Sequence, residues 1–194
     1  MIRIAREADG TALAEIYGWY VENTAVSFEY TAPTATEFAG RMEEILQLHP
    51  FLVYEEEGRP LGYAYAHPLI RRAACDWAVE VSIYIHREAR GKGIGRALYE
   101  ALENALRLQN ICTLEACVAS TDREDPHLTK DSILFHTRMG YRQEGKMTDC
   151  GYKFGKWYHL LWMEKHIALR KENMESRKPF PLVRKALEEQ YGIC

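Results

Sequence analysis

The run Arg90-Gly91-Lys92-Gly93-Ile94-Gly95-Arg96 sets three cations among three alternating glycines. Glycine has no Cβ, so its backbone N–H can approach a ligand closely and take φ > 0. If a helix starts here, its unpaired N–H groups and positive dipole end converge on the same point. Together with Arg90, Lys92 and Arg96 they form a seat for a pyrophosphate. A solvated basic turn is the alternative, but glycines weaken a helix start unless the backbone itself is needed. A Walker loop requires Ser or Thr after its lysine, where this chain has Gly93. A dinucleotide fingerprint requires its third glycine where Arg96 stands. What remains is R-x-x-G-x-G, formed by Arg90, Gly93 and Gly95.

The flanking residues must position that loop. Val79, Val81, Ile83 and Ile85 alternate with Glu80, Ser82 and Tyr84, the period of a half-buried strand. From Ile94 the period changes: Ala97, Leu98, Ala101, Leu102, Ala105 and Leu106 recur at helical spacing. The unit is therefore strand, loop, helix.

This unit resembles the acetyl-CoA loop of the GNAT N-acetyltransferases, and separated motifs resemble their phosphinothricin acetyltransferase branch. These are Cys75-Asp76-Trp77 through Glu80, Phe135-His136 with Met139-Gly140-Tyr141, Gly151-Tyr152-Lys153-Phe154-Gly155-Lys156-Trp157, and Asn23–Phe28. The resemblance covers residues 1–165, read as the acetyltransferase domain, with 166–194 as a charged, helical tail packed on it or on a partner subunit. It implies acetyl-CoA as cofactor and direct attack on the thioester by a small amine such as phosphinothricin, methionine sulfoximine or sulfone, or another amino acid. It also implies a homodimer.

On that reading Glu80 is the general base, since only the neutral amine is a nucleophile; a salt-bridged strand glutamate is the alternative. The N–H groups of Ile83, Tyr84 and Ile85 would polarise the thioester if the strand is bulged and its edge splayed. His136 is a candidate general acid or orienting group, with a packed helix histidine as the alternative. Ser132 falls beside the cofactor. Arg71 and Arg72 suit a substrate carboxylate, Phe28 and Trp77 the pocket walls, and Lys153 the substrate or a partner subunit. Two departures stand out: Thr129 occupies the family's asparagine position, and the acidic insertion at 121–131 is long, a lid or surface decoration. Other readings are a protein N-terminal or lysine acetyltransferase and a non-catalytic acyl-CoA-binding module.

The formal net charge of −3 suggests neither nucleic acid nor an anionic membrane as partner. No apolar run approaches the ~18 residues of a membrane span, and the charged start MIRIAREADG lacks a signal peptide's apolar core. The five cysteines are odd in number and lack C-x-x-C spacing, as reduced cytoplasmic thiols would be. The seven histidines form no H-E-x-x-H pattern, so no metal is expected.

Periodicity predicts strand 2–5, a helix capped by Asp9 or Thr11, a helix over 36–48, and strands 51–56 and 61–66 joined by a turn. After the central unit come strand 112–118, helix 131–139, and strands 141–147 and 156–165. The order βααβββαβαββ is an α/β three-layer sandwich on a mixed, mostly antiparallel sheet. Past Pro179 and Pro181, Leu182, Val183, Ala186, Leu187 and Tyr191 form a weak helical stripe.

Overall fold

The computed structural model describes residues 1–194. Strands β1 (Ile2–Ile4), β2 (Phe51–Glu56), β3 (Arg59–Pro68), β4 (Ala78–Ile85), β5 (Thr113–Ser120), β6 (Arg142–Lys153) and β7 (Lys156–His166) form one sheet. Its order is β1-β2-β3-β4-β5-β7-β6. Every neighbouring pair is antiparallel except β4 and β5. Helices α1 (Gly10–Asn23) and α2 (Ala35–Leu46) cover one face over Phe51, Val53 and Tyr63. Helix α3 (Ile94–Leu108) covers the other over Val79, Val81, Leu114 and Ala116. α4 (Asp131–Arg138) and α5 (Phe180–Tyr191) join α3 on that face through Phe135, Phe180, Val183 and Leu187. The three layers and their order are those expected.

Local chemistry explains the element ends. Thr34 opens α2 with a capping box: its hydroxyl accepts from Glu37 N–H at 3.2 Å, and Glu37 accepts from Thr34 N–H at 2.8 Å. Glu57 and Gly58 take φ of 51° and 77°, as a tight hairpin turn between β2 and β3 requires. Asp9 does not cap α1. Both its oxygens accept from Arg3 at 2.7 Å, a buried bidentate pair joining β1 to the helix start. β6 runs on to Lys153, past the end its pattern predicts. A register shift between Met147 and Gly151 lets the strand resume after breaking alternation.

The tail crosses beneath the sheet. Trp77 Nε1 donates to the Glu175 carbonyl at 2.8 Å, and Gln109 Nε2 to the Lys178 carbonyl at 2.7 Å. Of the expected stripe Val183 and Leu187 are buried, whereas Leu182 and Tyr191 face solvent; Phe180 is the additional anchor.

Candidate active site

β4 and β5 pair over only three rungs: Ala78 with Thr113, Val79 with Leu114 and Glu80 with Glu115. Both strands continue unpaired with each other, to Ile85 and Ser120, so the sheet splits. The split is not made by a bulge in β4, as the sequence reading supposes. β4 stays in unbroken register with β3 from Val79 opposite Pro68 to Ile85 opposite Gly62. His86 N–H donates to the Leu61 carbonyl at 2.8 Å, so by antiparallel alternation Tyr84 bonds toward β3 while Ile83 and Ile85 turn toward the split. The Tyr20 hydroxyl donates to the Ile85 carbonyl at 2.7 Å and lies 3.4 Å from its N–H. Of the three expected main-chain donors, Ile83 is therefore the one open to the split. The Tyr84 N–H is directed at β3, and Ile85 is occupied by Tyr20.

A cavity fills the split. Ile83, Ala116, Tyr99, Ser132 and His136 line it on the α3 side; Val26, Tyr84 and Cys117 line it on the other. Tyr99 and Cys117 are missed by the sequence reading, because each sits inside a regular element without a motif of its own. Burial pushes the Cys117 thiol up to about 12, so it stays protonated and inert.

His136 is buried at 4 % exposure. Its Nδ1 lies 2.7 Å from the Ser132 carbonyl and therefore carries the proton; its Nε2 then accepts from the Tyr99 hydroxyl at 2.9 Å. Burial lowers its pKa to about 4, against the raising effect of that carbonyl. The imidazole is neutral near pH 7, and its Nδ1 contact to a helix carbonyl is the one the packed-histidine alternative describes. The group it orients toward the cavity is Tyr99.

The glycine loop separates into parts with different tasks. Gly91 and Gly93 take φ of 75° and 82°, with open space where a Cβ would stand. Gly93 caps α3, whose buried first residue Ile94 anchors the helix start. Gly95 is needed for packing: a Cβ there would lie 3.1 Å from the Phe135 ring of α4. Lys92 and Arg96 are exposed. Arg90 does not reach forward with them. Its guanidinium sits 4.9 Å from the rings of both Trp19 and Tyr20, a cation–π brace from α1 to the loop.

Glu80 stands on the last paired rung, at the foot of the split. Its side chain is 22 % exposed, and His67 Nε2 lies 3.8 Å from its carboxylate. Burial raises its pKa, with His67 acting in the opposite direction. A half-buried carboxylate with raised proton affinity suits a base.

The remaining expected substrate contacts are not brought to the cavity. Arg71 is exposed and pairs with Glu44 at 3.2 Å, and Arg72 is exposed on the same loop. Trp77 is held by the tail through its indole N–H. Phe28 packs under Gly151, where a Cβ would lie 2.2 Å from its ring. Lys153 is buried, and its ammonium donates to the carbonyls of Val21 (2.7 Å), Thr24 (3.0 Å) and Ser27 (2.7 Å). With three donors and three acceptors, none is left for a substrate. The acidic insertion is pinned: Asp122 pairs with Lys146 at 2.9 Å, Asp125 pairs with Lys156 at 2.6 Å, and Leu128 is buried.

A split with the Ile83 N–H free on its β4 edge, leading to a helix N-terminus fronted by Gly91 and Gly93, fits an extended thiol arm ending in a diphosphate. Residues 2–162 match the acetyltransferase (GNAT) domain family. Phosphinothricin N-acetyltransferase of Streptomyces viridochromogenes is 31% identical over 168 residues, 87% of this chain and 88% of that one. The L-methionine sulfoximine/L-methionine sulfone acetyltransferase of Salmonella typhimurium is 32% identical, covering 84% and 92%. The crystal structure of a phosphinothricin acetyltransferase from Sinorhizobium meliloti in complex with acetyl-CoA superposes with a TM-score of 0.80 at 30% identity, covering 93% and 97%. Cofactor loop, split sheet and relatives agree: the chain belongs to the GNAT family and is an acetyl-CoA-dependent N-acetyltransferase.

Proposed function

We propose that the chain acetylates the free amine of a small amino-acid-like substrate, with phosphinothricin and methionine sulfoximine or sulfone as first candidates, by direct transfer in a ternary complex. The observation that carries this reading is the split itself, with Glu80 at its foot and the Ile83 N–H on its edge. Acetyl-CoA supplies the activated acetyl group. The chain does the rest: Gly91, Lys92, Gly93 and Arg96 hold the diphosphate, and Ile83 N–H donates to the carbonyl oxygen as charge grows there. Glu80 takes a proton from the substrate ammonium, directly or through water. Tyr99, oriented by His136, faces the leaving sulfur, and the proton lost by the newly acylated nitrogen passes to the departing thiolate. The reading takes 1–165 as the catalytic unit and 166–194 as a strap upon it. It includes a homodimer, supported by the open edge of β6 and by Tyr152 and Trp157 exposed on its hairpin. A reducing cytoplasmic setting is supported by five free cysteines.

One observation favours a second reading. No Lys or Arg lines the cavity, so within one chain nothing there neutralises an amino acid's carboxylate. A peptide N-terminus needs no such partner. Thiol release from acetyl-CoA, measured with a panel of amino acids and peptides, separates the two. Turnover of phosphinothricin or methionine sulfoximine, with peptides inert, is the expected outcome. Turnover of peptides alone would replace the small-amine reading.

A further inference from the structure

The rung at the foot of the split extends across the sheet. His67 of β3 stands opposite Glu80 of β4, Glu80 opposite Glu115 of β5, Glu115 opposite Glu164 of β7, and Glu164 opposite Arg142 of β6. Directly opposed residues share a sheet face, so three carboxyl groups stand in a row between His67 and Arg142. Like charges so placed repel, and the row is eased if its middle member keeps a proton. Glu164 has other partners: His166 Nε2 at 2.9 Å and Arg170 Nη2 at 4.0 Å. Glu115 makes no ion pair of its own and stands directly opposite Glu164. Two carboxyl groups so placed can share a hydrogen bond only if one is protonated.

We infer that Glu115 is a positioning residue for the acetyl transfer: it stands between Glu80 and Glu164 on one rung, and its charge state sets the strength of Glu80 as a base. The inference rests on the reading of Glu80 as that base. Burial pushes Glu115 up to about 7; the charges of Glu164, Glu144 and Glu80 push the same way. His67 faces Glu80 from β3 and lowers that group's pKa, Arg142 faces Glu164, and Cys117, the neighbour two along β5, stays neutral. Below neutrality Glu115 is uncharged and the row carries one negative charge fewer. Above it Glu115 ionises, and a second negative charge beside Glu80 raises that group's affinity for the ammonium proton. The pH response then belongs to the coupled pair.

The test compares kcat/KM of the wild type with that of Glu115→Gln from pH 5.5 to 9, using whichever amine the panel shows to turn over fastest. The ratio cancels the ionisation of the amine itself. It is expected to stay near one below pH 6 and to rise to about threefold above pH 8, since general-base efficiency follows proton affinity. Glu115→Asp, which keeps a carboxyl, is expected to follow the wild type. A ratio that does not change with pH, whatever its size, overturns the inference. If Glu115→Gln fails to fold, Glu164→Gln serves instead. It removes one repelling charge, so the upper ionisation in the wild-type profile is expected to move below pH 7, and an unmoved profile overturns the inference. Glu80→Gln is assayed alongside. If that variant is as active as the wild type, the base reading and this inference fall together; if it is inactive and the ratio is flat, only this inference falls.

Discussion

Glu80→Gln is expected to lower kcat for amine acetylation by about 10²–10⁴-fold, the usual worth of a positioned general base, and to leave acetyl-CoA affinity within a factor of two or so. The substitution keeps the shape of the side chain and removes its basicity. Glu80 lies at the foot of the split, whereas the diphosphate seat is at residues 91–96, beyond the end of β4. The two functions are separate in space and should separate in measurement. Because Gln cannot take the ammonium proton, activity should recover only as the amine deprotonates unaided, so the residual rate should rise tenfold per pH unit up to the amine's own pKa. Steady-state rates and calorimetry on the same preparation check both halves. A variant with near-normal kcat removes Glu80 from the chemistry.

Lys153→Met is expected to destabilise the fold by about 3–5 kcal/mol, the cost of breaking a buried charged contact, with little change in KM for the stable fraction. The Lys153 ammonium closes off the last turn of α1 at Val21 and fixes the following loop at Thr24 and Ser27. Helix C-terminal carbonyls attract a cation, and methionine leaves all three carbonyls without their donor. Burial already lowers the lysine's pKa, opposed by Glu29, so the contact persists only because every proton finds an oxygen. At about 2–4 °C per kcal/mol for a chain of this size, the melting temperature should fall by roughly 10 °C. A raised KM with an unchanged melting temperature would return Lys153 to the substrate site.

These two residues show which parts of the site are legible in the sequence. The loop and its flanking strand and helix are contiguous, so their periodicity and glycine spacing carry the reading alone. Glu80 is legible because one strand's alternation puts it on the face away from the valines. Lys153, Trp77 and Arg90 defeat the same approach because their partners are distant in the chain: Val21, Glu175 and Trp19. A lysine in a glycine-rich hairpin looks exposed until the fold sets it under α1. His136 is legible as a position, with an acid, an orienting and a packed role all open, since its neutrality comes from burial, which is not visible locally. The opening of the edge by divergence of β5, with β4 unbulged, depends on pairing, which alternation within one strand does not report.

The central claim is that the split between β4 and β5, closed by the glycine loop, receives acetyl-CoA. Backbone amide NMR during an acetyl-CoA titration tests it most directly. Saturable shifts concentrated at the amides of residues 91–96 and at Ile83, smaller at Tyr84 and Ile85, are the expected result. No shifts at those amides, or shifts gathered on another surface, would contradict it.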